Sequence, residues 1–165
     1  IAARAVLDAQ PDYHALILTG PLLGVPTSPP AWQMWLLRML SALFPTAKAL
    51  EIDASAVSRD QAVVDVYLAD PLVNHENIPA RTVVSLFDEA SRVLERASQI
   101  SLPTLLLHGQ EDQLTSVAAS RQFIADLSTI DKHITVYPGM YHELFNEPEK
   151  EDIIRTCLDW IAARL

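Results

Sequence analysis

Residues 104–112 read Thr104-Leu105-Leu106-Leu107-His108-Gly109-Gln110-Glu111-Asp112, an apolar run that ends at a glycine and leads into acidic residues. Such a run is typical of a strand that is buried on both faces of a parallel sheet. A helical segment from Ser116 to Leu127 follows, and then a second strand from His133 to Tyr137. The order strand, helix, strand predicts parallel strands whose carboxyl ends lie along one edge of a sheet.

An aspartate and a histidine follow these two strands, at the edge where open α/β sheets bind their ligands. Asp112 comes just after the first strand, and His142 comes just after the second. A histidine can accept a proton from a serine hydroxyl when a carboxylate holds its other ring nitrogen. We therefore predict that Asp112 orients the ring and that His142 is a general base. The alternative is that Asp112 caps a turn and His142 is an ordinary surface residue.

The composition limits the partners of the chain. It has 165 residues, half of them hydrophobic, which is enough for one domain with a core. The 21 acidic and 12 basic residues give a formal net charge of −9, which argues against nucleic acid as a partner. Cys157 is the only cysteine, so an intrachain disulfide is excluded. The histidines lack the regular spacing of metal ligands, and we expect no metal and no cofactor.

A third apolar segment, Tyr13 to Gly20, also ends in glycine and is predicted to join the same sheet. Residues 25–98, which follow it, have mainly helical patterns and are predicted to form a helical cap inserted into the sheet. Residues 1–24 and 99–165 would then form the core. Within the cap, Ser58-Arg59-Asp60-Gln61 matches a capping box and predicts that a helix begins there.

The first cap helix, from Ala31 to Phe44, is almost wholly apolar. It is too short to cross a bilayer, because a spanning helix needs about 20 apolar residues. Two interpretations stay open: a helix buried in the core, or a helix that faces lipid as part of an acyl pocket or at a membrane surface.

Motifs in both parts of the chain resemble those of the monoacylglycerol lipases, which are serine hydrolases of the α/β-hydrolase superfamily. The core motifs span residues 105–112 and 137–143, and the more selective cap motifs span residues 52–59 and 66–73. The resemblance covers nearly the whole chain and implies an α/β-hydrolase fold with a parallel sheet flanked by helices. It also implies a cofactor-free enzyme that cleaves the ester of a monoacylglycerol or a similar single-chain lipid.

The same resemblance implies roles for individual residues. Asp112 and His142 match the acid and the base of the family, and Tyr67 matches a cap tyrosine near the glycerol end of the site. Three further positions match the lining of the acyl tunnel, with ordinary core packing as the alternative: Leu22, Ile78 and Leu86. From position alone, Leu144 and Phe145 are expected to be wall residues beside the histidine.

The chain departs from the family in one respect, because it contains no Gly-x-Ser-x-Gly motif. Gly20 and Gly24 have the required spacing, but Leu22 stands between them. The chain begins with Ile1 in a helical pattern, so we expect the nucleophile to lie a few residues upstream. The N-terminal remainder of the same protein is thus a predicted partner, and residues 1–165 alone are expected to be inactive. A cytoplasmic or peripheral-membrane location is expected, with contact to the membrane through the cap.

Two other functions remain open at this point. An α/β-hydrolase with an aspartate nucleophile would act as a haloalkane dehalogenase or an epoxide hydrolase. A non-catalytic lipid-binding module is the third candidate, although a pure binding protein has no use for a paired acid and histidine. The residue at the upstream elbow would separate the two enzymes.

Overall fold

The computed structural model describes residues 1–164, so the final residue of the predicted 99–165 core segment lies outside it. In chain order, the helices and strands are α1 (Ala2–Ala9), β1 (Leu16–Thr19), α2 (Ala31–Leu43), β2 (Lys48–Leu50), α3 (Gln61–Ala69), β3 (Ile78–Pro79), α4 (Ala80–Glu95), β4 (Thr104–Gly109), α5 (Val117–Asp126), β5 (Lys132–Tyr137) and α6 (Lys150–Ala162).

A parallel sheet with the strand order β1-β4-β5 forms the centre of the molecule. Every residue of the middle strand, β4, is buried, which confirms the prediction drawn from its mainly apolar sequence. The end of β4 lies beside the end of β5, because Gly109 is in register with Tyr137. The turns that follow these two strands therefore leave the sheet at the same edge.

The sheet separates two hydrophobic clusters, because successive side chains of β4 point to opposite faces. Leu106 packs in the larger cluster with Val6 of α1, Val93 of α4 and Phe123 of α5. On the other face, Leu105 and Leu107 pack with Met140, Leu144 and Ile153, the last of which lies on α6. Helices thus cover both faces of the middle strand.

Residues 25–98, called the cap below, lie between β1 and β4 and contain α2, α3 and α4. They also contain an antiparallel pair of short strands, β2 and β3, that the sequence analysis did not predict. These strands are too short to show the alternation that identifies a half-buried strand. In the described residues, no helix has the length and hydropathy that crossing a membrane requires.

The predicted start of the second cap helix is wrong. The helix α3 begins at Gln61, and the side chain of Asp60 caps it by accepting a hydrogen bond from the Ala62 amide at 3.0 Å. Ser58 instead forms a turn of its own, because its Oγ accepts from the Asp60 amide at 3.1 Å. Ser58 and Arg59 are therefore outside the helix, where they contact Asn146 and Glu147 of the segment after β5.

Gly109, the last residue of β4, lies against the backbone of the segment that leads to His142. A Cβ placed at this glycine would be 2.0 Å from the carbonyl oxygen of Tyr141 and 2.5 Å from that of Met140. The Glu111 amide also donates to the Met140 carbonyl at 3.0 Å. Only glycine allows this approach, so the end of β4 directly determines how close the segment that leads to His142 lies to the sheet.

We predict that Gly109→Ala in the full-length protein lowers the free energy of unfolding by about 3 kcal/mol, because backbone atoms cannot yield to the new methyl group. Gly24→Ala is the matched control, since the nearest atom to its new Cβ is the methyl carbon of Ala119 at 3.1 Å. Urea denaturation of both variants would measure the difference. Equal losses in the two variants would show that the close contact at Gly109 is not rigid.

Candidate active site

The structure brings Asp112 and His142 together, although 30 positions separate them in the sequence. The Nδ1 atom of His142 lies 2.8 Å from Oδ2 of Asp112. An ionised carboxylate can only accept, so Nδ1 carries the proton and Nε2 is left with a free lone pair. The Asp112 side chain is fully buried, whereas 26% of the His142 side chain is exposed. This arrangement can orient an imidazole that exchanges protons with a bound group.

The turn after β4 holds the carboxylate of Asp112. Its Oδ1 atom accepts from the amides of Leu114 at 2.8 Å and Thr115 at 2.9 Å, and its Oδ2 atom accepts from the Thr115 hydroxyl at 2.7 Å. Burial by itself raises the pKa of Asp112. The hydrogen bonds from His108, His142 and Thr115 outweigh that effect and hold the pKa well below its usual range. Asp112 is therefore an anion whenever the protein is folded near neutral pH.

A second histidine, His108 of β4, is fully buried beside the same carboxylate. Its Nε2 lies 3.1 Å from Oδ2 of Asp112, and its Nδ1 lies 2.9 Å from the hydroxyl of Ser120 on α5. An ionised carboxylate can only accept, so Nε2 of His108 donates to Asp112. No role for His108 was predicted from the sequence. Its only signal was a polar residue inside an apolar strand.

Gly20, which follows β1, allows the His142 ring to approach the sheet. Its φ of +48° lies in the left-handed region, where glycine is favoured. A Cβ at this position would lie 3.0 Å from the carbonyl oxygen of His142 and 3.1 Å from its Nδ1. Three strand ends thus build the site: β1 supplies Gly20, β4 leads to Asp112 and β5 leads to His142.

A cavity of about 670 Å³ opens beside His142. Its lining is mainly apolar, and all three residues expected in an acyl tunnel are part of it: Leu22, Ile78 and Leu86. The cap supplies most of the remaining apolar surface, including Val83 and Phe87, which the sequence analysis did not select. An apolar cavity with a few polar groups at one point is typical of a site for a small ligand.

The structure places the other three predicted substrate-binding residues away from this cavity. Tyr67 lines a second cavity of about 530 Å³, where its ring packs against the ring of His75 at a centroid distance of 5.6 Å. Leu144 is 1% exposed in the core, because the short helical turn Leu144–Asn146 directs it towards the sheet. Phe145, the next residue, is 42% exposed and does not line the cavity.

Comparison with known proteins gives consistent matches over nearly the whole chain. The family Hydrolase_4, described as serine aminopeptidase S33, matches residues 1–149. A monoacylglycerol lipase of Mycolicibacterium smegmatis is 36% identical over 154 residues, which cover 93% of this chain and 55% of the relative. A monoglyceride lipase of Rattus norvegicus is 28% identical over 168 residues, covering 100% of this chain and 55% of the relative. The chain thus spans about half the length of these curated relatives.

Two solved structures are similar in fold. The crystal structure of a Paleococcus ferrophilus monoacylglycerol lipase matches with a TM-score of 0.89 and 28% identity, over 99% of this chain and 64% of the other. A soluble variant of Saccharomyces cerevisiae monoglyceride lipase, solved with a substrate analogue, matches with a TM-score of 0.84 over 99% of this chain and 58% of the other. The second match is 17% identical and supports the fold alone.

The depressed pKa of Asp112 predicts a specific dependence of stability on pH. Its contribution is complete above the unfolded-state pKa of about 3.9 and is lost as the pH falls below that value, because only the unfolded chain then takes up the proton. Between about pH 4 and pH 2.5, the free energy of unfolding should therefore fall more steeply in the unmodified full-length protein than in Asp112→Asn. The expected difference in slope is about 1.4 kcal/mol per pH unit.

Chemical denaturation at a series of pH values would measure both slopes. Asp159→Asn, which changes an exposed aspartate of α6, is the matched control and should keep the slope of the unmodified protein. If the free energy of unfolding fell with the same slope in the unmodified protein and in Asp112→Asn, the result would contradict a strongly lowered pKa of Asp112.

Proposed function

The chain belongs to the Hydrolase_4 family of α/β-hydrolases, and we propose that it supplies the acid and the base of a serine hydrolase that cleaves monoacylglycerols. The observation that carries this proposal is the 2.8 Å hydrogen bond from His142 to Asp112 beside a largely apolar cavity. The lipid substrate is supported by the curated relatives, which are a monoacylglycerol lipase and a monoglyceride lipase. The nucleophilic serine would come from the part of the protein upstream of Ile1, in the chain order of this superfamily.

In the proposed reaction, the serine Oγ attacks the ester carbonyl carbon while its proton passes to Nε2 of His142. The Asp112 carboxylate stabilises the imidazolium that forms and keeps Nδ1 protonated throughout. Collapse of the tetrahedral intermediate breaks the bond to glycerol, which leaves with the proton from Nε2. Water then repeats the sequence on the acyl-enzyme and releases the fatty acid. No step needs a cofactor.

The shape of the site supports a substrate with one acyl chain. The apolar cavity beside His142 would hold the chain against Leu22, Ile78 and Leu86. The second cavity shares a wall with the first through Ile52 and Ile78, and it is lined by more polar residues, among them Tyr67 and Asn74. We propose that the glycerol group of the substrate lies at the end of the site that faces this second cavity.

We predict that the full-length protein is labelled covalently by a fluorophosphonate and that His142→Ala slows labelling by about 10³-fold or more, because the serine loses its base. His133→Ala is the matched control, since it removes an exposed histidine of β5 and should label at the normal rate. The 165-residue chain alone should not react. Labelling rates followed by gel fluorescence would measure all four proteins.

A substrate panel completes this test. Hydrolysis of 1-oleoylglycerol, with little turnover of alanyl-p-nitroanilide, is expected from the apolar cavity, and the reverse preference would favour a peptidase. A full-length protein that resists the fluorophosphonate would contradict the serine mechanism. It would then favour an aspartate nucleophile or a lipid-binding module.

We further propose that α2 contacts the membrane from which the substrate comes, which places the protein at a membrane surface. Several large apolar side chains of the α2 region are exposed, with exposed fractions of 44–65%: Trp32, Trp35, Leu36, Met39, Leu43 and Phe44. Exposed apolar groups of this density mark a contact surface, and tryptophan favours the interface of a bilayer. Because the net charge is −9, binding should depend on apolar contact rather than on anionic lipid.

We predict that a double substitution, Trp32→Ser with Trp35→Ser, reduces binding of the full-length protein to phosphatidylcholine vesicles by about tenfold or more, since it removes two indole rings that would enter the bilayer interface. Turnover of a short soluble ester should stay normal. The control is Ile130→Ser, which removes a fully exposed apolar side chain outside the cap. Flotation assays would measure binding, and unchanged binding of the double variant would exclude α2 as the contact.

A further inference from the structure

The segment that carries His142 is attached to the cap as well as to the sheet. The Glu143 amide donates to the carbonyl of Val57 at 2.8 Å, and the Ser58 hydroxyl donates to the carbonyl of Asn146 at 3.2 Å. Residues 57–59 of the cap therefore lie along the outer side of residues 141–147. The inner side of the same segment rests on Gly109, at the end of β4.

A buried carboxylate, Glu147, lies at the centre of this contact. Its side chain is fully buried, and its Oε1 atom accepts from the Tyr141 amide at 3.1 Å, one residue before His142. The same Oε1 atom accepts from the Arg59 amide at 3.2 Å, and Oε2 accepts from Nε of Arg59 at 2.7 Å. A buried charge is strongly destabilising when it lacks such partners. Glu147 therefore requires both the cap residue and the segment of His142 in their present places.

Arg59 lies close to the chain on both sides of His142. Its guanidinium pairs with Glu147 and with Glu149 at the start of α6. Its Nη1 atom also lies beside the turn that precedes His142, because a Cβ on Gly139 would be 3.8 Å from it. One cap side chain thus spans the two ends of the segment 139–147, which has His142 near its middle.

We propose that Arg59 and Glu147 are positioning residues that couple the location of the cap to the location of His142. Asp112 fixes one nitrogen of the ring, whereas Arg59 and Glu147 fix the backbone from which the ring extends. A displacement of residues 57–59 would move the Tyr141 amide and, with it, Nε2 relative to the nucleophile. The cap would then influence turnover itself and not only the binding of the acyl chain.

This inference rests on the proposed hydrolase activity, and it makes a distinctive kinetic prediction. A cap residue that only shapes the acyl cavity would change the KM of a long-chain ester and leave a short ester unaffected. A residue that positions His142 would lower kcat for both esters, because both need the same base. It would also slow the reaction with a small fluorophosphonate that does not enter the acyl cavity.

The experiment compares variants of the full-length protein for kcat and KM on 1-oleoylglycerol and p-nitrophenyl acetate, and for the rate of phosphonylation. Arg59→Ala should lower kcat on both esters and the phosphonylation rate by about tenfold or more, since small displacements of a catalytic group have effects of this size. The KM for p-nitrophenyl acetate should stay within about twofold. Arg38→Ala is the matched control, because Arg38 pairs with Asp88 at 2.5 Å and 3.1 Å within the cap.

Two conservative variants keep the test decisive if Arg59→Ala does not fold. Arg59→Lys keeps the charge but loses the fork that spans Glu147 and Glu149, and Glu147→Gln keeps an acceptor for the Tyr141 amide but loses the charge. Each should lower kcat less than Arg59→Ala does, and the combination of Arg59→Lys with Glu147→Gln should be no worse than the stronger single change.

The two levels of the proposal fail in different ways. If the unmodified protein is not phosphonylated, the proposed function is wrong. If it is phosphonylated and the folded Arg59 and Glu147 variants react at the rate of Arg38→Ala, the coupling is wrong. A rise in KM for 1-oleoylglycerol alone would also overturn the coupling and leave these residues a role in the shape of the cavity.

Discussion

The site depends on the hydrogen bonds of one buried carboxylate. Asp112 is held by its own turn through Leu114 and Thr115, by β4 through His108, and by the segment after β5 through His142. An anion without such partners would be expensive to bury, so these segments must be in place together for the charge to be stable. The same requirement fixes the proton on Nδ1 of His142. The stability of the buried charge and the orientation of the His142 ring therefore have one physical origin.

Glycine at the ends of the strands makes this convergence possible. Gly109 lets the backbone at Met140 and Tyr141 rest directly on the end of β4, and Gly20 lets the His142 ring rest on the end of β1. A side chain at either position would collide with the segment that carries His142, so that segment would have to move. The parallel sheet brings the carboxyl ends of the strands to one edge. The absence of a Cβ atom at these two glycines then allows the segment that carries His142 to lie closer to the strand ends.

The apolar strand patterns and the residues that directly follow each strand were sufficient to predict the sheet and the pairing of Asp112 with His142. Both of these features follow from local pattern and chain order. It did not find β2 and β3, which are too short to have a pattern, or the true start of α3. Ser58 fits a capping box in sequence, but its hydroxyl bonds to Asn146, a residue 88 positions away. The burial of Glu147 beside Arg59 and the inward orientation of Leu144 likewise come from contacts between distant segments, which no local pattern encodes.

The neighbouring positions of β1 and β4 in the sheet have an evolutionary consequence. The 25–98 segment leaves the sheet after β1 and returns to it at β4, and these strands are paired in parallel, with Leu16 beside Thr104. Because the strands are parallel, the segment leaves from the carboxyl end of β1 and must return to the amino end of β4, at the opposite edge of the sheet. A crossover connection is needed for this, and the entropy of closing such a connection rises only slowly with its length. A lineage could therefore lengthen or exchange this segment at little cost in closure entropy, but it could not replace the segment with a tight turn.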